Sequence, residues 1–269
     1  MVPGDLPMNA PKDEDRQILA AGAHPDDIEF LMAGTLALLR QGGHKIHIAS
    51  ICSGDKGSAV LEPKEIASTR FREATEAARI IDATFETLNV PDLELIFDNK
   101  TRSKVVELVR KVDPHIVVTM SPNDYMPDHE ITANLLWDAC FNASTPNYET
   151  GQANAAKATK RIPYLYYSDS IESLDRFGKR LAPDFYVDIT SVIEIKEKML
   201  AKHESQRNWL KIQHGLDEYL LSMRRWNQER GKEINVEFAE AFRQHRGHSF
   251  PKENILEELV PVVISIKDA

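Results

Sequence analysis

The chain alternates short apolar segments with longer amphipathic segments through roughly its first half, and this alternation constrains the fold most. The short segments are rich in β-branched residues, which is typical of buried strands, and the longer ones have helical spacing of apolar residues. The strand-like segments are 17–23, 45–52, 85–90 and 115–120, and the helical ones are 28–41, 63–82, 103–113 and 130–141. Strands separated by helices form βαβ units, so the sequence predicts an α/β fold with a mostly parallel sheet and helices on both faces.

The rest of the chain predicts additions to this sheet. Two further apolar segments, 164–169 and 185–190, indicate extra strands after a polar loop. The remaining segments with helical character are 191–206, 211–229 and 235–244. The sequence therefore predicts that a helical C-terminal elaboration follows the sheet.

The domain organisation is expected to be simple. No clear linker interrupts the chain, so we expect one domain over residues 15–269, with a core at 17–206 and a helical part at 207–269. Residues 1–14 are charged and Pro-rich, which is typical of a loose arm.

Composition argues against several classes of partner. The net charge of −9 disfavours a nucleic-acid or anionic-membrane partner. The two cysteines, Cys52 and Cys140, provide neither a disulfide framework nor zinc-type Cys spacing. The sequence shows no secretory signal and no apolar run long enough to span a bilayer. We therefore expect a cytoplasmic protein with a small-molecule partner.

The stretch AHPDDIEF (23–30) places His24, Pro25, Asp26 and Asp27 directly after the first predicted strand. Ligand sites of open parallel sheets lie at the carboxyl ends of the strands. Two carboxylates repel a phosphate, whereas His and Asp bind a cation such as zinc, and proline stiffens the loop between them. A catalytic zinc usually has three protein ligands, so a third is expected from another strand end.

A second loop contains a candidate for that third ligand. After the fourth predicted strand the chain reads SPNDYMPDHEIT (121–132), in which His129 follows Asp128 at the start of a helix. Alone, such a pair is often a helix cap with a surface partner. Two loops that combine His with acid at one edge of a sheet predict a shared metal site.

Four stretches of the chain resemble one known family. AHPDDIE and, about a hundred residues later, PNDYMPDH closely resemble the motifs of the zinc-dependent N-deacetylases of the PIG-L/LmbE-like family. TRFREATEAARIID and KEKMLAKHESQ resemble two further segments of that family. The resemblance covers roughly residues 17–206. It implies a Rossmann-like fold and hydrolysis of an N-acetyl group from an amino sugar or sugar conjugate.

The resemblance also implies roles for individual residues. His24, Asp27 and His129 would bind Zn²⁺, or another divalent metal, and Asp26 would be the general base that accepts a proton from the attacking water. The alternative for Asp26 is a helix cap for the helix that starts near Ile28.

The second motif departs from the family pattern at one position. Family members usually read His-Pro-Asp-His, whereas this chain has Met126 in place of the first His, and methionine cannot donate a proton. Either Asp26 performs both proton transfers, or another donor replaces the missing His, or the substrate has changed. Asp128 is expected to orient a group of the site, with a helix N-cap as the alternative.

Two further residues resemble family positions that contact substrate. Arg70 is one of them, and its alternative is an exposed ion pair with Glu73 on the same helix. Asp92, after the third predicted strand, is the other, and its alternative is a turn residue. Met126 would face the substrate in the same cavity.

Histidines in the second half of the chain are weaker candidates. His203 is expected to be a packed or capping residue rather than a ligand. His245 and His248 are expected near the end of a helix, where the helix dipole favours them. The alternative for these two is a lid that supplies the missing donor.

These observations predict a cytoplasmic, zinc-dependent amide hydrolase that acts on an N-acetylated sugar or sugar conjugate. One alternative is an amidase for a non-sugar or thiol-conjugate amide. Another is a non-catalytic protein that keeps the loop for metal or ligand binding. The family resemblance also implies a homo-oligomer.

Overall fold

An eight-stranded sheet runs through the part of the chain that the structure, a computed structural model, describes: residues 16–208, 218–260 and 263–265. The strands are β1 (Gln17–Gly22), β2 (Lys45–Cys52), β3 (Thr84–Val90), β4 (Ile116–Thr119), β5 (Tyr164–Ser168), β6 (Phe185–Asp188), β7 (Ala239–Gln244) and β8 (Val263–Ser265). The arm expected at 1–14 and the first part of the helix expected at 211–229 lie outside the described residues.

The strand order is β3-β2-β1-β4-β5-β7-β6-β8. The five strands from β3 to β5 are parallel, with Ile18 of β1 opposite Ile46 of β2 and Ile116 of β4. The last three strands pair antiparallel. β1 is buried along nearly its whole length, which explains its unbroken apolar sequence. The predicted mostly parallel sheet is confirmed.

Helices cover both faces of this sheet. They are α1 (Asp27–Leu31), α2 (Ala33–Gln41), α3 (Pro63–Arg79), α4 (Asn99–Val112), α5 (Pro127–Asn142), α6 (Ile193–Leu200), α7 (Glu218–Glu233) and α8 (Leu256–Leu259). α4 and α5 pack on each other and on β1, while α1, α2 and α3 contact α6 in a second layer. The chain crosses from β1 to β2 and β3 on one side of the sheet and then to β4 on the other, and crossovers of the usual right hand place the two layers on opposite faces, as predicted. None of the described helices has the length and apolar character needed to cross a bilayer.

The helix predicted at 28–41 is interrupted at Met32, where α1 ends and α2 begins. The reason lies on a distant strand. Glu240 of β7 accepts hydrogen bonds from the backbone N–H groups of Gly34 and Thr35, at 2.9 and 2.8 Å, and from the Thr35 hydroxyl at 2.6 Å. The free amides of a helix N-terminus bind a carboxylate well, so the start of α2 is set by this contact.

The prediction of a helix at 235–244 is wrong, because residues 239–244 form strand β7. Its sequence, AEAFRQ, consists largely of residues with good helix propensity. Tertiary context overrides that preference, since β7 lies between β5 and β6 and brings the fully buried Glu240 to Lys196 and α2. The C-terminal elaboration therefore contains strands as well as the confirmed helix α7.

Candidate metal centre and active site

A cavity of about 450 Å³ opens at the carboxyl ends of β1 to β4. Its walls include residues from the loops that follow these strands, among them His24, Lys56, Asp92 and Met126. The chain leaves β1 towards β2 on one side and returns as β4 on the other, which is the usual position of a ligand in an open parallel sheet.

Three predicted ligands meet at the floor of this cavity. One ligand atom from each of His24, Asp27 and His129 lies within 4.8 Å of the other two. The Asp27 carboxylate lies 3.6 Å from His24 Nδ1 and 3.5 Å from His129 Nε2. All three side chains are buried. Two imidazoles and a carboxylate are a donor set that zinc prefers.

Each imidazole contacts a second carboxylate through the ring nitrogen that faces away from Asp27. His24 Nε2 lies 3.1 Å from Asp128 Oδ2, and His129 Nδ1 lies 3.0 Å from Asp124 Oδ1. These contacts leave His24 Nδ1 and His129 Nε2 turned towards Asp27. An orienting carboxylate behind a histidine is the usual support of a metal ligand. The residues present therefore fit a divalent metal.

The electrostatics of the cluster favour positive charge. Burial alone would lower the pKa of His24, but hydrogen bonds to Asp128 and Asp27 outweigh it and raise the pKa to about 10. The pKa of His129 is raised in spite of its burial, because Asp27 and Asp124 lie beside it. For Asp27, burial is outweighed by His129 and His24, so its pKa is lowered. The same carboxylates would stabilise a metal cation bound between the two imidazoles.

A second trio of potential ligands, His24, Cys52 and Asp92, also lies within 4.8 Å. It fits a metal less well. Burial raises the pKa of the Cys52 thiol, and the thiolate is the form that binds metals. The Asp92 carboxylate is engaged by the backbone N–H of Gly54 at 2.8 Å and of Lys56 at 3.3 Å.

Asp26 stands beside the cluster and is held from two sides. Its Oδ1 accepts a hydrogen bond from Arg70 Nη2 at 2.9 Å, and its Oδ2 accepts one from the Tyr219 hydroxyl at 2.6 Å. Burial raises its pKa, against the opposing charge of Arg70. Asp26 occupies the N-cap position of α1, but its side chain makes no capping bond, so the capping alternative is wrong. Its φ of 127° is costly for a residue with a side chain, and such strain clusters at functional sites.

Arg70 is buried and contacts the first loop directly. Its Nη2 also donates to the carbonyl of Pro25 at 2.5 Å. Glu73 instead accepts hydrogen bonds from the backbone N–H and hydroxyl of Ser205, so the Arg70–Glu73 ion-pair alternative is wrong. A Cβ atom at Gly54 would lie only 2.7 Å from Arg70 Cδ. The loop after β2 therefore packs directly against the aliphatic part of the Arg70 side chain.

The other predicted site residues line or support the cavity. Asp92 and Met126 both face it, and Met126 is half-buried at the N-cap of α5. Asp128 lies in the first turn of α5 without capping it, since Met126 holds that position, so the N-cap alternative is wrong. Besides His24, Asp128 accepts the backbone N–H of Leu93 at 2.8 Å.

The histidines of the second half lie elsewhere. Their expected position near a helix end is wrong, because they follow strand β7. His245 Nδ1 lies 3.1 Å from the Tyr167 hydroxyl, His248 is exposed, and neither is among the described residues that line the cavity. His203 is fully buried, with Nε2 3.4 Å from Glu29 Oε2, and belongs to neither potential ligand trio.

Sequence reasoning missed four residues of the site. Asp124 stands five positions before His129, and an acidic residue close to a candidate ligand was a usable signal. Phe30, the last residue of AHPDDIEF, lies on α1 four positions after Asp26 and lines the cavity. Tyr219 and Trp226 reach the cavity from α7, and no local pattern marks either of them.

Residues 19–140 match the family described as PIG-L, GlcNAc-PI de-N-acetylase. Diacetylchitobiose deacetylase from Thermococcus kodakarensis is 27% identical over 210 residues, 75% of this chain and 74% of that protein. 4-Oxalmesaconate hydratase from Pseudomonas putida is 26% identical over 198 residues, 70% of this chain and 72% of that protein.

A solved structure shares the fold. N,N'-diacetylchitobiose deacetylase from Pyrococcus horikoshii superimposes with a TM-score of 0.71 at 24% identity, over 90% of each chain. Together with the family match, this structure confirms the resemblance to the PIG-L/LmbE-like family that the two loop motifs indicated. The resemblance to the PIG-L family thus extends over residues 19–140 of this chain.

Proposed function

We propose that the chain is a zinc-dependent hydrolase that removes the N-acetyl group from an amino sugar or sugar conjugate. The observation that carries this proposal is the cluster of His24, Asp27 and His129 with Asp26 beside it, at the floor of a cavity. The match to a de-N-acetylase family and to a diacetylchitobiose deacetylase supports the type of reaction.

His24, Asp27 and His129 would hold the metal, and Asp124 and Asp128 would orient the two imidazoles. When bound, zinc supplies a water acidified towards neutral pH and polarises the amide carbonyl. Another divalent ion with the same preference for nitrogen and oxygen ligands would satisfy the same donor set.

Asp26 is the proposed general base. Its carboxylate accepts a proton from the attacking water and then delivers it to the amide nitrogen as the C–N bond breaks. Arg70 and Tyr219 each hold one of its oxygens, which fixes the plane of the carboxylate. Each oxygen keeps a second lone pair for this proton. Arg70 therefore contributes to the position of Asp26 as well as to the cavity wall.

Because Met126 replaces the usual histidine, that position cannot donate a proton to the departing amine. Asp26 performs both proton transfers in this proposal. Tyr125, next to Met126, is the proposed donor to the developing oxyanion, because it lines the cavity and its ring centroid lies 5.5 Å from that of His129. Asp92 and Met126, which both line the cavity, are the proposed substrate contacts.

Hydration of a carbon–carbon double bond is the second candidate. The hydratase relative and Met126 favour it, because adding water across a double bond needs a base but expels no amine. A non-catalytic metal-binding protein is the third alternative.

Acetate release from a panel of N-acetylated amino sugars and their conjugates, with and without a chelator, tests the proposal. Metal-dependent release supports it. Water addition to unsaturated acids without any acetate release would replace it with the hydratase. A chain that binds metal but turns over neither class of compound would support the non-catalytic alternative.

A further inference from the structure

The floor and the outer wall of the cavity differ in chemistry. The floor carries ionisable side chains, whereas Phe30 and Trp226 form an aromatic wall, their ring centroids 5.7 Å apart at an interplanar angle of 41°. Tyr219 packs edge-on against Phe30 at 4.8 Å and joins this wall to Asp26. Both rings of the wall are only half-buried. Large aromatic side chains that remain exposed inside a cavity are typical of a ligand-binding surface.

Helix α7 presents two of these side chains on one face. Tyr219 and Trp226 are seven residues apart, two helical turns, so both point to the same side. The tyrosine hydroxyl reaches the proposed base, while the indole lines the cavity further along the helix. One helix thus joins the reacting centre to an apolar surface beside it.

The rim of the cavity continues this apolar character. Leu93 lines it with its side chain 66% exposed, and its φ of 63° is a strained conformation for a branched residue. Its backbone N–H is held by Asp128, which keeps the residue in that position. Leu93 therefore combines a strained backbone conformation with an exposed apolar side chain at the entrance of the cavity.

We infer that Phe30 and Trp226 form a subsite for an apolar ring attached to the N-acetylated unit. The substrate class is then an N-acetylhexosamine that carries an aromatic or other apolar aglycone, rather than the free sugar. A flat aromatic group covers this wall with its whole face, whereas a sugar ring offers only the C–H groups of one face, and hydroxyl groups placed against the wall lose water without gaining partners. This inference rests on the proposed function.

Two substrates and a pair of matched variants test the subsite. Acetate release from N-acetylglucosamine is compared with release from its phenyl β-glycoside, using the full zinc-loaded chain. We expect kcat/KM to be about tenfold higher for the phenyl glycoside, the size of effect that one stacked ring contributes. Trp226→Leu should remove this preference, so that the two substrates have similar kcat/KM values. Trp137→Leu, a half-exposed tryptophan on α5, should keep the preference.

Calorimetry supplies a second measurement that needs neither turnover nor a variant. Phenyl β-glucoside, which has no amide, should bind the wild-type chain about tenfold more tightly than methyl β-glucoside. Equal affinities for these two compounds, or a preference that survives Trp226→Leu, would overturn the subsite. If no acetate appears from either substrate, the proposed function fails, and the calorimetric ratio still decides for or against the aromatic wall.

Discussion

Two buried groups of charged side chains in this protein differ in how their members satisfy one another. Lys196 and Glu240 are both fully buried, with Lys196 Nζ 2.6 Å from Glu240 Oε1. The remaining capacity of the Glu240 carboxylate is taken by the backbone of Gly34 and Thr35 and by the Thr35 hydroxyl. One positive and one negative group are thus paired, and the carboxylate also has hydrogen bonds on both oxygens, as burial of charge requires.

The cluster at the cavity floor has an excess of acid. Asp26, Asp27, Asp92, Asp124 and Asp128 lie around two histidines. Among the described residues that line the cavity, Arg70 and Lys56 carry the permanent positive charges. The Asp27 carboxylate lies 3.6 and 3.5 Å from the two imidazole nitrogens that face it, longer than ordinary hydrogen bonds.

The comparison separates a structural ion pair from a binding site. Lys196–Glu240 connects α6, β7 and the start of α2, and all of its partners belong to the chain. At the cavity floor, nitrogen and oxygen donors converge on one point with surplus negative charge. Burial and ionic character are common to both places, so the balance of charge and the direction of the donor atoms distinguish them.

Removing a proposed ligand should have the largest effect. His24→Ala, Asp27→Ala and His129→Ala should each lose bound zinc and activity together, because each removes one of three protein ligands. Elemental analysis of the purified variants measures the metal. His47→Ala, on β2 and away from the cavity lining, is the control and should keep its zinc. Full zinc content in any of the three would remove that residue from the ligand set.

Asp26→Asn should keep zinc and lose activity by about 10²–10⁴-fold, the usual contribution of a general base. Asparagine has nearly the same shape but cannot take up a proton at this pH. Elemental analysis and acetate release on the same preparation measure both properties. Loss of zinc from Asp26→Asn with retention in Asp27→Ala would reverse the assignment of the two carboxylates.

Glu240→Gln should destabilise the fold by about 3–5 kcal/mol, because it leaves Lys196 buried without its counter-charge. Urea unfolding measures the free energy, and the zinc content of the folded fraction should be unchanged. Glu197→Gln is the matched control, since its partner Arg224 and Glu197 itself are 34% exposed and surface pairs contribute little. Similar losses in both variants would contradict a special role for the buried pair.

Asp124→Asn should weaken zinc binding by about 10–100-fold without abolishing it, as expected when a carboxylate behind a metal-binding histidine is removed. A competition titration against a chelator measures the affinity. Asp138→Asn, on α5 after the Asp124 loop, is the control, because Asp138 pairs with Arg102 away from the cavity lining. Unchanged affinity in Asp124→Asn would show that Asp124 does not orient His129.

Tyr219→Phe should have the smallest effect, a decrease in kcat of about tenfold with little change in KM. The variant removes one hydrogen bond to a charged group while keeping the ring that packs on Phe30. Steady-state kinetics with a melting curve measures it, and Tyr186→Phe, whose hydroxyl contacts Glu233, is the control. An increase in KM alone would assign Tyr219 to substrate binding instead.

The sequence predicted the parts of this molecule that depend on short segments. Apolar segments located the parallel strands, and the two loops after β1 and β4 contained the residues that meet at the cavity floor. Patterns within a short segment of sequence do not indicate which distant segments it contacts in the fold. For that reason the strand at Ala239–Gln244 was mistaken for a helix, and the break at Met32 was missed.

The same limit applies to the candidate site. Tyr219 reaches Asp26 from 193 positions away, and only the packing of α7 over α1 brings them together. The sequence placed Arg70 at the site through its family position but did not indicate that the guanidinium binds Asp26 and Pro25. Both contacts depend on tertiary structure rather than on spacing along the chain.

Zinc titration of the chelator-treated chain tests the central claim most directly. Acetate release from an N-acetylated aminosugar conjugate and bound zinc are followed in the same samples. We predict that activity appears in proportion to bound zinc and stops rising at one zinc ion per chain, and that His129→Ala shows neither binding nor activity. Acetate release that persists at full rate without metal would contradict the account.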